Sequence, residues 1–166
     1  MSAGAPSDSA AARVDVRRHA ERDLADMLAV IRTAFAEHHG KLVPPSSAEH
    51  KTLDILRAEL SGADAFVAES AGCIVGCVMF RPRDASTYLD RLSVLPQWQG
   101  RGIASALIAA VEHEAVSRGF ASLTLTVRLA LTRQQAMYRH LGFEFASYGT
   151  HEGFNEPTSM TMRKSL

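Results

Sequence analysis

One stretch of the sequence, residues 88–108, constrains the rest of the chain more than any other. It reads YLDRLSVLPQWQGRGIASALI, which is typical of a β-strand, a tight loop and the first turns of an amphipathic helix. Gly100 and Gly102 allow the backbone to turn sharply and to approach a ligand with no Cβ in the way. Because the helix begins there, its first N–H groups and the positive end of its dipole point at the same place. This arrangement predicts a phosphate-binding loop.

The known nucleotide loops do not fit this stretch. The sequence lacks G-x-x-x-x-G-K-[ST], and residues 100–105 (GRGIAS) lack the third glycine of G-x-G-x-x-G. The preceding strand also follows a β-meander instead of opening a βαβ unit, which argues against a Rossmann half. From this fragment alone, a simple tight turn remains an equally good interpretation.

The size and charge of the chain limit the classes of protein to which it can belong. Its 166 residues predict a single domain over residues 13–166, after a disordered leader over the small and polar residues 1–12. Lys plus Arg and Asp plus Glu both number 18, so the broad basic field of a nucleic-acid-binding protein is missing and we expect no nucleic-acid partner. With no apolar run long enough to span a membrane, we expect no membrane partner and a cytoplasmic location.

The two cysteines do not indicate a disulfide or a metal site. Cys73 and Cys77 fall within one predicted strand, which would hold their Cα atoms about 13 Å apart, beyond disulfide reach. No histidine cluster lies near them in the sequence, so no metal is expected. We interpret both as reduced core residues.

The hydrophobic periodicity predicts the order β-α-α-β-β-β-α-β-α-β-β. Asp23 is the expected N-cap of the first helix, Ser46 or Ser47 that of the second, and Thr132 that of the last. A hairpin over residues 65–80 and a strand over 88–94 form a central meander. The predicted fold class is α+β, with a mixed, mostly antiparallel sheet of six or seven strands flanked by about four helices.

Residues 92–104 (LSVLPQWQGRGIA) resemble the acetyl-CoA signature of the GCN5-related N-acetyltransferases (GNAT). The loop of that superfamily reads R/Q-x-x-G-x-G/A and is matched here by Gln99, Gly102 and Ala104. Tyr138, followed by Gly142 and Phe143, has the position and spacing of a tyrosine of that family. The resemblance covers roughly residues 14–164 and implies the GNAT-like sheet as well as the co-substrate, acetyl-CoA.

The resemblance also implies a set of acetyl-CoA-binding residues. Backbone groups of Leu92 and Val94 would hydrogen-bond the pantetheine arm. Many relatives carry an asparagine on the Tyr138 helix, where this chain offers Gln134 or Arg133. The pyrophosphate would be held by the amides of Gln99, Gly100, Arg101, Gly102, Ile103, Ala104 and Ser105.

Two residues are the first candidates for catalysis. Tyr138 would protonate the departing CoA thiolate, unless it is an aromatic residue packed on its helix. The attacking amine must be uncharged, so a base or a water chain must take its proton. Asp90 is the first candidate base, with a salt-bridged or solvent-facing strand residue as an equal alternative. His151 is the second; His38, His39 and His113 are best explained as surface residues.

The implied function is an N-acetyltransferase, an acyltransferase that moves the acetyl group of acetyl-CoA to a primary amine of a small-molecule or peptide acceptor by direct attack. A transferase that uses another acyl-CoA and a non-catalytic acyl-CoA sensor are the alternatives. Acetylation of aminoacyl-tRNA is a third possibility that the neutral charge disfavours. A homodimer is possible. Nothing in the sequence identifies the acceptor.

Overall fold

The computed structural model describes residues 12–166, which form one seven-stranded sheet with four α-helices. Residues 1–11, which hold nearly all of the predicted leader, lie outside the described residues. The strands are β1 (Asp15–Arg18), β2 (Asp64–Ser70), β3 (Cys73–Arg83), β4 (Ser86–Val94), β5 (Ser122–Arg128), β6 (Glu144–Gly149) and β7 (Ser159–Ser165). The helices are α1 (Leu24–Phe35), α2 (Leu53–Leu60), α3 (Ile103–Ser117) and α4 (Thr132–His140).

The strands lie in the spatial order β1-β2-β3-β4-β5-β7-β6. Every neighbouring pair is antiparallel except β4 and β5, which are parallel and are joined through α3. A parallel pair needs such a crossover, whereas the antiparallel pairs can be joined by short turns. The predicted α+β class, strand count and element order are confirmed.

The core lies on both faces of the sheet. Along β3, Val78 and Phe80 belong to the cluster under α3, while Cys77 and Met79 belong to the cluster under α1 and α2. Successive side chains of a strand point to opposite faces, so a strand covered by helices on both sides must be apolar throughout. This explains the continuous apolar run of β3 that the sequence shows.

Cys73 was expected in this core together with Cys77, and that prediction is wrong. Cys73 is exposed because it is the first residue of β3, beside the turn that contains Gly72. Cys77 is buried, and burial raises the pKa of its thiol to about 12. Both cysteines are free thiols.

The predicted helix caps are only partly correct. Ser46 caps a short 3-10 turn (Ser47–His50) through the N–H of Ala48, whereas α2 is capped by Thr52, whose Oγ1 accepts from Ile55 N–H at 3.2 Å. Thr132 is the first residue of α4 rather than its cap. Asp23 precedes α1 as predicted, but its side chain does not cap the helix.

The Asp23 carboxylate instead fastens the start of α1 to the sheet. It accepts two hydrogen bonds from the Arg17 guanidinium, at 2.7 and 2.9 Å, and one from the Ala20 N–H. Nε of Arg17 also donates to Glu69 of β2 at 2.9 Å. The hydrogen bond from Arg17 is the main reason that the pKa of the buried Asp23 is lowered to about 2. The link sets the direction of α1, whose last turn borders the candidate site.

We expect Asp23→Asn to destabilise the protein in a pH-dependent way. The folded-state pKa of about 2 lies below the ordinary value of 3.8, so the charged carboxylate stabilises the fold above the ordinary value and loses this effect as the pH falls towards 2. Urea unfolding at pH 7 should show a loss of about 2 kcal/mol. The difference from the wild type should shrink as the pH is lowered.

Asp26→Asn is the matched control, because Asp26 is exposed on the same helix. It should unfold like the wild type at neutral pH. A loss in Asp23→Asn that stays constant between pH 7 and the acid range would contradict the role of the carboxylate charge.

Candidate active site

The site is a cleft between two parallel strands that pair only where they begin. β4 and β5 are in register at Thr87 with Leu123 and at Tyr88 with Thr124, and the pairing ends there. Beyond it the strands separate, and residues 89–94 of β4 and 125–128 of β5 line a cavity of about 760 Å³. The edge of β4 that faces β5 therefore has backbone groups that no neighbouring strand occupies.

A β-bulge in β4 lies at this separation. Cys77 of β3 is opposite Ser93, but Met79 is opposite Asp90, so β4 has two residues in between where β3 has one. Arg91 lies in this bulge and has a φ of 54°, which is uncommon for a residue with a side chain. Bulges increase the local twist and change the direction of side chains. Asp90, Arg91 and Leu92 all line the cleft as a result.

The first turn of α3 and the loop before it form one wall, which we call the loop side: Gln99, Gly100, Gly102, Ala104 and Ser105. Gly100 and Gly102 have φ values of 73° and 79°, which favour glycine, and a Cβ on either would meet open space. No N–H group of residues 100–105 donates a hydrogen bond within the described part of the chain. The loop side therefore offers a row of free N–H groups at a helix N-terminus, the arrangement that binds phosphate.

The side chains of this loop hold it in shape. Nε2 of Gln99 donates to the Val94 carbonyl at 3.2 Å, and the Arg101 guanidinium lies over the Trp98 ring at 4.7 Å from its centroid. Ile103 is buried and packs closely on Gly76 of β3, which fixes the start of α3 on the sheet. Ile103 and Arg101 are not among the residues that line the cavity.

Tyr138 and Asp90 face the same cleft from α4 and from the β4 bulge. Tyr138 is half-buried, and its ring meets that of Phe143 edge-on at 5.8 Å. Burial, and then the negative charge of Asp90, raise the pKa of the Tyr138 hydroxyl above its ordinary value. Tyr138 therefore keeps its proton at neutral pH and can act as an acid. Asp90 Oδ1 lies 3.7 Å from Arg91 Nε.

The opposite wall, which we call the α1 side, comes from the end of α1, the segment after it and the β6–β7 connection. Its members include Phe35, His38, Leu42, Ser46 and His151. His38 Nε2 and Gln134 Nε2 are 3.2 Å apart, which joins the segment after α1 to α4.

His151 is oriented on the α1 side by Thr158. The Thr158 hydroxyl accepts from the His151 N–H at 3.0 Å and is hydrogen-bonded to Nδ1 of the ring. Burial first, and the nearby charge of Arg128 second, lower the pKa of His151, so its imidazole is neutral at pH 7.

The cleft brings together most of the residues predicted from the sequence. Leu92, Val94, Gln134 and His151 line it together with the loop side, Asp90 and Tyr138. His39 and His113 are exposed and lie outside the lining, whereas His38, expected at the surface, is half-buried in it.

Arg91 and Arg128 were missed by sequence reasoning, and both line the cleft. Arg91 owes its place to the bulge, which no glycine or proline marks in the sequence. The signal for Arg128 was its position at the end of the strand that follows the phosphate loop, where ligands of open sheets commonly bind.

Within residues 12–166, no group of three or more His, Cys, Asp and Glu side chains is arranged to hold a metal ion. None of the helices in that range has the length and apolar character that a membrane crossing requires.

Solved structures with the same fold include the PaiA N-acetyltransferase from Thermoplasma acidophilum in complex with coenzyme A. It superposes with a TM-score of 0.77 at 16% identity, over 93% of this chain and 99% of that one. The ribosomal-protein-S18-alanine N-acetyltransferase from Escherichia coli gives a TM-score of 0.72 at 19% identity, over 92% of this chain and 94% of that one.

Among curated proteins, acetyltransferase SG1711 of Sodalis glossinidius is 38% identical over 96 residues, which is 55% of this chain and 66% of that protein. Mouse N-acetyltransferase 8 is 36% identical over 99 residues, or 55% of this chain and 44% of that protein. The matched region thus spans about half to two thirds of these relatives. The model of the acetyltransferase (GNAT) family matches residues 27–143, which is most of the chain. The chain therefore belongs to the acetyltransferase (GNAT) family.

Proposed function

We propose that this protein transfers the acetyl group of acetyl-CoA to a primary amine. The observation that carries the proposal is the cleft itself, in which a row of free N–H groups, an unpaired strand edge, an acid and a candidate base all face one cavity. Relatives that are named acetyltransferases, and a structural neighbour in complex with coenzyme A, support the choice of co-substrate.

The loop side would hold the pyrophosphate of acetyl-CoA. The free amides of residues 100–105 can donate to its oxygens, and the positive end of the α3 dipole favours its negative charge. The pantetheine arm, which carries amides of its own, would continue along the free edge of β4 at Leu92 and Val94. One lone pair of the Val94 carbonyl is already used by Gln99, at 3.2 Å, and a carbonyl oxygen has a second. Gln134 would add a contact from α4.

In the reaction, the amine nitrogen attacks the thioester carbonyl carbon, the C–S bond breaks and CoA leaves as a thiolate. The hydroxyl of Tyr138 would donate a proton to that sulfur. The attacking nitrogen loses a proton, for which Asp90 is the first candidate acceptor, with neutral His151 or a water chain as alternatives. Asp90 and Tyr138 line the same cleft, which would allow the proton to return to Tyr138.

Two free cysteines suit the reducing cytoplasm, which we propose as the location. A homodimer through the last strands would cover Phe145 and Tyr148, which are exposed on the edge strand β6. The acceptor would be a small molecule or a peptide, with no nucleic acid and no membrane as partner.

Release of CoA thiol with a panel of amines tests the proposal directly. Amine-dependent release, with the acetylated amine as product, is the expected result. Tight binding of acetyl-CoA with only background hydrolysis across the panel would instead favour an acyl-CoA sensor. Comparison with longer acyl-CoA substrates in the same assay would reveal a different acyl preference.

Gly102→Glu should abolish acetyl-CoA binding, because it places a carboxylate at the phosphate position. Gly119→Glu is a matched control at the other end of α3, since Gly119 also has a positive φ, of 84°, and open space at its Cβ. Calorimetry should show at least about a 100-fold weaker binding for Gly102→Glu and wild-type binding for Gly119→Glu. An equal affinity of both variants for acetyl-CoA would show that the loop is not part of the binding site.

Tyr138→Phe should lower kcat by about 100-fold or more while leaving the affinity for acetyl-CoA nearly unchanged, because it removes the acid and keeps the ring. Tyr148→Phe, on the exposed strand β6, should behave like the wild type. Steady-state kinetics together with direct binding separates the two effects. A Tyr138→Phe enzyme with the wild-type kcat would leave Tyr138 as a packing residue.

A further inference from the structure

The charges that line the cleft do not cancel. The side chains that carry them are Glu37, Asp90, Arg91, Arg128 and Arg133. Asp90 and Arg91 form an ion pair with each other, and Arg91 also donates to the Ser47 hydroxyl. Glu37 and Arg133 are exposed to solvent, which screens their charges. One guanidinium in the lining of the cleft remains, and it has no counterion in the part of the chain that the structure describes.

That group belongs to Arg128, the last residue of β5. Its side chain is half-buried, and Nη2 donates to the Pro45 carbonyl at 3.3 Å. No carboxylate among the described residues forms an ion pair with it. A charged group that is partly removed from water without a counterion is unfavourable, and burial lowers the pKa of Arg128 accordingly.

The hydrogen bond to Pro45 places the guanidinium of Arg128 on the α1 side of the cleft. Pro45 belongs to the segment that follows α1, and the charge of Arg128 acts on His151 in the β6–β7 connection. The loop amides would donate hydrogen bonds to phosphate groups at residues 100–105. Arg128 is therefore available to the second substrate rather than to acetyl-CoA.

The structure points to an acceptor amine that also carries a carboxylate, which binds to the guanidinium of Arg128. This inference rests on the proposed function and specifies the class of its acceptor. A planar guanidinium matches a carboxylate in geometry and charge. A single unpaired guanidinium suits one negative charge better than the two of a phosphate monoester. Phe35 and Leu42 on the same side give an apolar surface for the rest of the acceptor.

Initial rates with matched amines test this specificity. Suitable series are leucine, 4-aminobutanoate and glycylleucine, each compared with its amide and with the amine that lacks the carboxyl group. The three acids place the amine and the carboxylate at different separations. We expect at least one acid to exceed its own amide in kcat/KM by about tenfold or more. Arg128→Gln should remove this preference and Arg128→Lys should keep part of it.

Arg163→Gln is the matched control, because Arg163 is an exposed arginine on the neighbouring strand β7 and does not line the cleft. It should keep the wild-type preference. Circular dichroism and thermal melting would establish that each variant is folded.

Calorimetry on the protein saturated with CoA gives a second readout that needs no turnover. An acid should bind about tenfold more tightly than its amide, and the two should bind equally in Arg128→Gln. Equal binding of acids and amides in the wild type, or an acid preference that persists in Arg128→Gln, would overturn the inference.

The two proposals fail separately. If the enzyme acetylates amides and plain amines with no preference for acids, the proposed function stands and the inference of a carboxylate on the acceptor is overturned. Binding of acids through Arg128 without any acetyl transfer would keep the carboxylate site and overturn the proposed function.

Discussion

The early end of the pairing between β4 and β5 is the constraint on which the site depends. Only two residue pairs join these strands, and the backbone of β4 beyond Tyr88 has no neighbouring strand on that side. Buried backbone groups without partners are costly, so an open strand edge is stable only if water or a ligand reaches it. The separation thus creates a cavity and at the same time supplies the hydrogen-bonding groups that a ligand with amides can use.

The two sides of the cleft offer different kinds of groups to a ligand. On the loop side the available groups belong to the backbone, and glycines with positive φ shape it. On the α1 side they belong to side chains, among them His38, Arg128 and His151, which lie on separate elements. Backbone recognition tolerates many sequences, whereas side-chain recognition changes with each substitution. This difference would explain why the sequence predicts a co-substrate but not an acceptor.

The same difference determines what could be predicted. Periodicity and glycine positions are local signals, and they predicted the element order and the tight turn before α3. Tyr138 and Asp90 were assigned from the family resemblance, and both line the cleft. The bulge at Arg91 and the contact between Arg128 and the segment after α1 arise from strand register and from residues far apart in the sequence. Local sequence patterns do not predict such contacts. Similarly, Ser46 and Thr52 are both good caps, and only tertiary packing determines which of them begins α2.

Hydrogen exchange with and without CoA tests the central claim most directly, because the amides of residues 100–105 are free within the described chain. The account predicts fast exchange of these amides in the free protein and strong protection in the complex, with little change at the far end of α3 around Arg118. Saturating CoA that leaves the exchange of residues 100–105 unchanged would contradict it.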